Sequence, residues 1–198
     1  MSKFNNMDPF KQYLSILEKY LFPETLKYVE LSWNEKHRKY HDINHLNTVL
    51  GYIERNKHRF DKKDYDALVL AAFFHDVYYN PKKIADNENE SIKRFIASYN
   101  SKDIVIKNLV VDMIEATKYR KKPDNSLIKL FWEADNVIFY TGYDKLLKVE
   151  KLLRQEFSFV PTKMYKKKRI EFLNTNIGLF DQMVDKDLKK LIKYVETY

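Results

Sequence analysis

The spacing of apolar positions along this chain predicts helices from end to end. Asp8-Pro9 reads as an N-cap followed by proline at the first helical position, and Leu14, Leu17 and Leu21 follow at helical spacing. Pro23 opens a second helix through Leu26, Val29 and Trp33. A third runs from about Asp42 to Phe60, with Leu46, Val49, Leu50 and Ile53 on one face. A fourth, about Lys62 to Tyr78, is nearly apolar all round after Ala67, the pattern of a helix buried at the centre of a bundle. Pro81 ends that region. Further helices are expected from Asp86 or Asn87, from Ser101 to about Lys118, and from Pro123-Asp124 through Asp135. The remainder, about Tyr143 to Phe157, Pro161 to Asn174 and Asp185 to Val195, is amphipathic. No segment shows convincing strand alternation, so the expected fold is all-α.

Composition narrows the setting. The 198 residues suit one domain, residues 1–198, and the chain holds only 3 Gly and 5 Pro, with no linker-like stretch or internal repeat. No apolar run reaches the roughly 18 residues needed to cross a bilayer, and Met1 to Asp8 lacks a secretory apolar region. The chain has no cysteine, which excludes disulfides and thiolate metal sites and points to a cytoplasmic protein. The net charge of +8 has two readings, attraction to phosphate-rich ligands or compositional bias. Only seven of the 36 basic residues are arginine, and lysine travels with abundant Asn, Ile, Tyr and Phe, which favours bias. Arginine is the better residue for planar phosphate recognition.

The candidate chemistry lies where polar groups interrupt apolar runs. His75 and Asp76 follow Leu68-Val69-Leu70-Ala71-Ala72-Phe73-Phe74 directly. Burying them costs several kcal/mol, on the order of the ~2–7 kcal/mol for an unpaired polar group, unless a partner compensates. As neighbours on a helix they stand about 100° apart and can lean toward one edge. His45 falls on the inward face beside Val49, and Asp135 sits one turn after Phe131 in a strongly apolar segment. Two imidazoles and two carboxylates from three separated segments neutralise a dication and leave positions for water and substrate. Such a mixed shell suits Mn, Mg, Fe, Co or Zn.

The order His45, His75-Asp76, Asp135 resembles the HD superfamily of metal-dependent phosphohydrolases. Tyr40-His41 with His45-Leu46, Ala71 to Tyr79, Asp86-Asn87-Glu88 with Ser91, and Glu115-Ala116-Thr117-Lys118 resemble in particular a group labelled predicted metal-dependent phosphohydrolases, over roughly residues 38 to 157. The resemblance implies an HD-type helical bundle and one divalent metal ion held by His45, His75, Asp76 and Asp135. No histidine follows Asp76, whereas HD proteins with two fully protein-ligated metals carry more there, so one such ion is expected. His41, four residues before His45, is placed like the proton donor of the similar cyclic nucleotide phosphodiesterases, although Asp42 stands where that family has Asn. Asp76 is expected to serve catalysis as well as metal binding. Arg38 and Lys118 are the expected phosphate contacts, and Asp86 and Glu90 the expected orienting acids. Arg154, Glu156 and Arg169 read as interhelical ion pairs, and the basic run Lys163 to Arg169 as a solvated face. The implied reaction is hydrolysis of a phosphate ester, slightly favouring a small nucleotide or other monoester, by metal-activated water. The other readings are an HD-fold regulatory or ligand-binding protein without turnover and a basic nucleic-acid binder. The latter shows neither a helix-turn-helix nor an arginine-rich stripe.

Overall fold

The computed structural model describes residues 8–83, 86–119 and 121–198, so most of the segment lacking a secretory pattern lies outside the described residues. The chain is all-α. Eleven helices are described: α1 Pro9–Gln12, α2 Leu14–Tyr20, α3 Pro23–Trp33, α4 Ile43–Asn56, α5 Lys62–Phe74, α6 Asn87–Ser98, α7 Ile104–Thr117, α8 Ser126–Asp135, α9 Tyr143–Glu156, α10 Thr162–Asn176 and α11 Gln182–Val195. No strand occurs among the described residues, and the one β-bridge joins Leu21 to Tyr99. None of these helices is long and apolar enough to cross a membrane.

Local chemistry sets most of the boundaries. Asp8 caps α1 by accepting from the Phe10 N–H, and Asp42 caps α4 through the Asn44 and His45 N–H groups. The cap of α7 is Asp103 rather than Ser101, whose Oγ instead accepts from the Asp103 N–H. Asn125 caps α8 one residue after Pro123-Asp124. The central helix ends earlier than its apolar run suggests. Phe74 is the last residue of α5, His75 is its C-cap, and Asp76 already lies in the following turn.

α5 occupies the centre and packs against α2, α4, α6, α7 and α8. Ala67 through Phe74 are completely buried, as their lack of a polar face predicts. The apolar residues fall into two clusters. The larger spans Tyr13 to Ala134, and a smaller one gathers Phe139, Leu146, Leu173, Val184, Leu188, Leu191 and Val195 from the last three helices and the turn before them. Trp132 stacks on Phe180 across the junction, at 5.5 Å between ring centroids.

A buried indole ties this frame to the end of α5. Trp33 Nε1 donates to the Phe73 carbonyl at 2.9 Å, two residues before His75. Trp33→Phe leaves that buried carbonyl short of a donor, a loss of about 1–3 kcal/mol, and the void left by the smaller ring adds to it. Urea unfolding should show this drop, and a change below about 0.5 kcal/mol would mean that the hydrogen bond contributes nothing.

Candidate metal centre

Three helix termini meet beside α5. His45 lies in the first turn of α4, His75 caps the end of α5, and Asp135 is the last residue of α8. His45 Nε2 and His75 Nε2 stand 3.1 Å apart. Asp135 Oδ1 is 3.2 Å from His45 Nε2 and 3.5 Å from His75 Nε2. Asp76 Oδ2 is 3.5 Å from His75 Nε2 and 3.9 Å from His45 Nε2. Donors about 2.0–2.2 Å from one cation stand roughly 3–3.5 Å apart in octahedral or tetrahedral coordination, close to the spacing of the imidazole nitrogens from each other and from each carboxylate. Among the described residues, His45, His75 and Asp76 form a group that could hold a metal ion, and Asp135 closes on the same two nitrogens. α5 and α8 both end here, and helix C-termini carry partial negative charge that favours a cation.

Contacts with the protein aim the imidazoles. His75 Nδ1 lies 2.9 Å from the Ala72 carbonyl, which takes the ring proton and leaves the Nε2 lone pair facing the other donors. Trp33 and Phe131 pack against the His75 ring at 5.5 and 5.8 Å. Burial holds the His75 pKa below the usual imidazole range, against the pull of Asp76 and Asp135. Burial alone would raise Asp135, yet the His45 hydrogen bond and the nearby imidazoles bring it down to about 2.

His41 sits in the irregular segment before α4, and a glutamate distant in sequence holds it. Glu156 Oε2 is 2.8 Å from His41 Nδ1 and accepts from the Tyr79 hydroxyl at 2.9 Å. Glu156 Oε1 accepts three successive backbone N–H groups, those of Lys39, Tyr40 and His41, at 2.7, 2.7 and 2.9 Å. Consecutive amides around one carboxylate form an anion nest. Burial would raise the Glu156 pKa, but His41 and these amides bring it to about 2. Burial would lower His41, but the Glu156 hydrogen bond and the charges of Asp76, Glu156 and Asp135 carry it above the usual range. The Tyr79 ring stacks on His41 at 4.3 Å. Glu156 is therefore more than the interhelical ion pair expected from sequence. The signal for it was an acid on the inward face of α9, in step with Leu146 and Leu153.

The expected phosphate contacts lie elsewhere. The Arg38 side chain is fully buried. It donates from Nε to Glu35 at 2.9 Å, from Nη1 to the carbonyls of His41 and Asp76 at 3.0 and 2.7 Å, and from Nη2 to the Val77 carbonyl at 3.2 Å. This guanidinium ties the His41 segment to the turn carrying Asp76 and is not available to a ligand. Lys118 is exposed at the C-cap of α7, and Thr117 lines the neighbouring cavity in its place. Asp86 is exposed and Glu90 pairs with Lys93 at 2.7 Å, so neither reaches the histidines, whereas Asn87 and Glu88 do line the cavity.

That cavity, about 460 Å³, opens over His41, His45, His75, Asp76 and Asp135. Its cations are Lys168 and Arg169 of α10, which the sequence pattern placed on a solvated face. Arg169 Nε is held by Glu150 at 2.6 Å, while Lys168 is exposed and pairs with Glu171. A second depression, about 390 Å³, lies on α11 among Lys186, Lys189, Lys190 and Lys193, with no histidine in its walls. In comparisons with family models, curated proteins and solved structures, nothing matches this chain.

The His41–Glu156 pair gives the fold a calculable pH dependence. The lowered Glu156 pKa contributes stability that is complete above its unfolded value of about 4.3. This contribution is lost as pH falls toward about 2. The raised His41 pKa contributes stability that is complete below about 6.5 and lost as pH rises through its folded value. Glu156→Gln should therefore be less stable than the native chain by roughly 2–3 kcal/mol near pH 5–6. Urea midpoints of the two proteins should converge as pH approaches about 2, and a gap independent of pH would contradict the assignment.

Proposed function

We propose that this chain is a metal-dependent phosphohydrolase of the HD type. The observation carrying the proposal is the grouping of His45, His75 and Asp76 at the floor of a cavity, with Asp135 against the same two imidazoles and the His41–Glu156 pair at its edge. These four side chains would hold one divalent ion, with the two imidazoles buried and the two carboxylates partly open to the cavity. Such an ion supplies Lewis acidity toward a phosphoryl oxygen and toward water.

The remaining roles belong to the protein. Asp76 turns Oδ2 toward the imidazoles and leaves Oδ1 to accept the proton of the attacking water. Glu156 fixes His41 through Nδ1, which leaves His41 Nε2 to give its proton to the departing oxygen. The Glu156 carboxylate beside Nδ1 favours the protonated form of the ring. Arg169 takes the part expected of Arg38 and Lys118: with Nε bound to Glu150, its Nη groups remain for an anion. The three-point hold of Glu156 on the His41 segment means that binding a substrate need not order it, and preorganisation of this kind lowers the barrier.

The test combines metal analysis with turnover. The native chain should bind about one Mn²⁺ or other divalent ion, lose it to a chelator, and hydrolyse phosphate esters only when reloaded. Asp76→Ala should lose the ion. A chain that binds no divalent ion, or that turns over no ester in a broad phosphate panel, would refute the proposal.

His41→Ala separates acid catalysis from metal binding. Turnover should fall by roughly a hundredfold or more, with metal content unchanged. Loss of metal in this variant would make His41 a ligand instead of the proton donor.

A further inference from the structure

The walls of the cavity divide sharply along the chain. Its floor and the metal-centre side chains come from residues 40–136, while its opposite wall comes from residues 138–172, in the last helices and the turn before them. Most of that wall is apolar, with Leu146, Val149 and Leu153 on α9 and Met164 and Phe172 on α10, and it also carries Lys168 and Arg169. Leu146, Val149 and Leu153 recur at helical spacing on one face of α9. Met164 is 58% exposed, an apolar side chain at the cavity with little covering it.

Several polar groups that could read a nucleobase or a sugar are already engaged, and the cations Lys168 and Arg169 suit a phosphate better than either. Asn136 Nδ2 donates to the Trp132 carbonyl at 2.8 Å. Thr117 Oγ1 donates to the Ile114 carbonyl at 2.8 Å, and Asn87 Oδ1 accepts from the Asn80 N–H at 3.0 Å. The Tyr165 hydroxyl is taken by Glu150 at 2.9 Å. A polyhydroxylated leaving group placed against Leu146, Val149, Leu153 and Met164 would lose water without gaining partners there, which is costly. An aliphatic group placed there would leave water for an apolar wall, at a gain proportional to the area covered.

We infer that the substrate class is the phosphate monoester of an apolar, aliphatic alcohol, with its phosphate at the metal centre and its chain along α9 and α10. The inference rests on the hydrolase reading above and replaces the nucleotide expected from sequence. Hydrolysis would join the oxygen of water to phosphorus and break the bond between phosphorus and the alcohol oxygen. The proton on His41 Nε2 would pass to that oxygen, releasing the free alcohol and inorganic phosphate.

Chain-length dependence of binding tests the inference apart from turnover. The probes are non-hydrolysable n-alkyl phosphonates from methyl to octyl, titrated calorimetrically into Mn²⁺-loaded protein whose metal content is measured in the same sample. Each added methylene should tighten binding about threefold to fourfold up to roughly hexyl. Adenosine 5′-monophosphate should bind no better than methyl phosphonate. Val149→Asn should reduce the octyl-to-methyl affinity ratio about tenfold or more. Met164→Gln, at an exposed position that folding tolerates, should reduce it in the same direction. A ratio near one in the native chain, or the nucleotide binding more tightly than hexyl phosphonate, would overturn the inference. If esters are hydrolysed but the series is flat, the hydrolase reading survives and this inference does not. A steep series without hydrolysis of any ester would keep the apolar binding wall and remove the hydrolase reading.

Discussion

One carboxylate, that of Glu156, joins the two halves of this molecule at the site. It ends α9, in the C-terminal group of helices, yet its two oxygens are spent on the segment before α4 and on Tyr79. That segment has no helix or strand of its own to satisfy its amides. Three of its N–H groups would be poorly satisfied if Glu156 were replaced by an apolar residue, and an unmet buried amide costs about 1–3 kcal/mol. The same contact holds the His41 ring 5.8 Å from that of His45. The position of α9 and the orientation of His41 are therefore tied together by one side chain.

A second clamp of opposite charge works on the same segment. The Arg38 guanidinium gathers the carbonyls of His41, Asp76 and Val77 beneath Trp33 and Tyr79. Glu156 takes the amides of the segment and Arg38 takes carbonyls of that segment and of the turn after α5. An irregular stretch thereby acquires the order of a helix without helical hydrogen bonds. A buried guanidinium is tolerated because Glu35 and the carbonyls meet its donors.

The divided cavity follows from where the two hydrophobic clusters lie. The first cluster, around α5, supplies rigid helix ends from which short side chains converge, so the floor is polar. The second supplies Leu146 and Phe139 to the opposite wall, which is therefore largely apolar beside the cations Lys168 and Arg169. Buried acids behind that wall find local partners: Glu150 holds Arg169 and Tyr165, and Glu156 holds His41 and Tyr79.

Much of this was legible in the order of residues. Apolar spacing located the central helix, because a stretch from Ala67 to Phe74 without a polar face can only be buried, and Asp8 and Asp42 announced their helix starts by local capping chemistry. His75-Asp76 and Asp135 stood out because ionisable groups ending apolar runs need a partner, and the structure brings them together with His45. Those features depend on residues a few positions apart. Tertiary structure alone decided the rest. Whether Arg38 or Arg169 faces the cavity, and whether Glu156 pairs with a neighbouring helix or with His41, depends on contacts between segments far apart along the chain. Lys118 and Glu90 show the same limit from the other side: a charge one turn from a motif looks equally suited to the site or to solvent, since helical periodicity gives a side chain's face but not what that face meets.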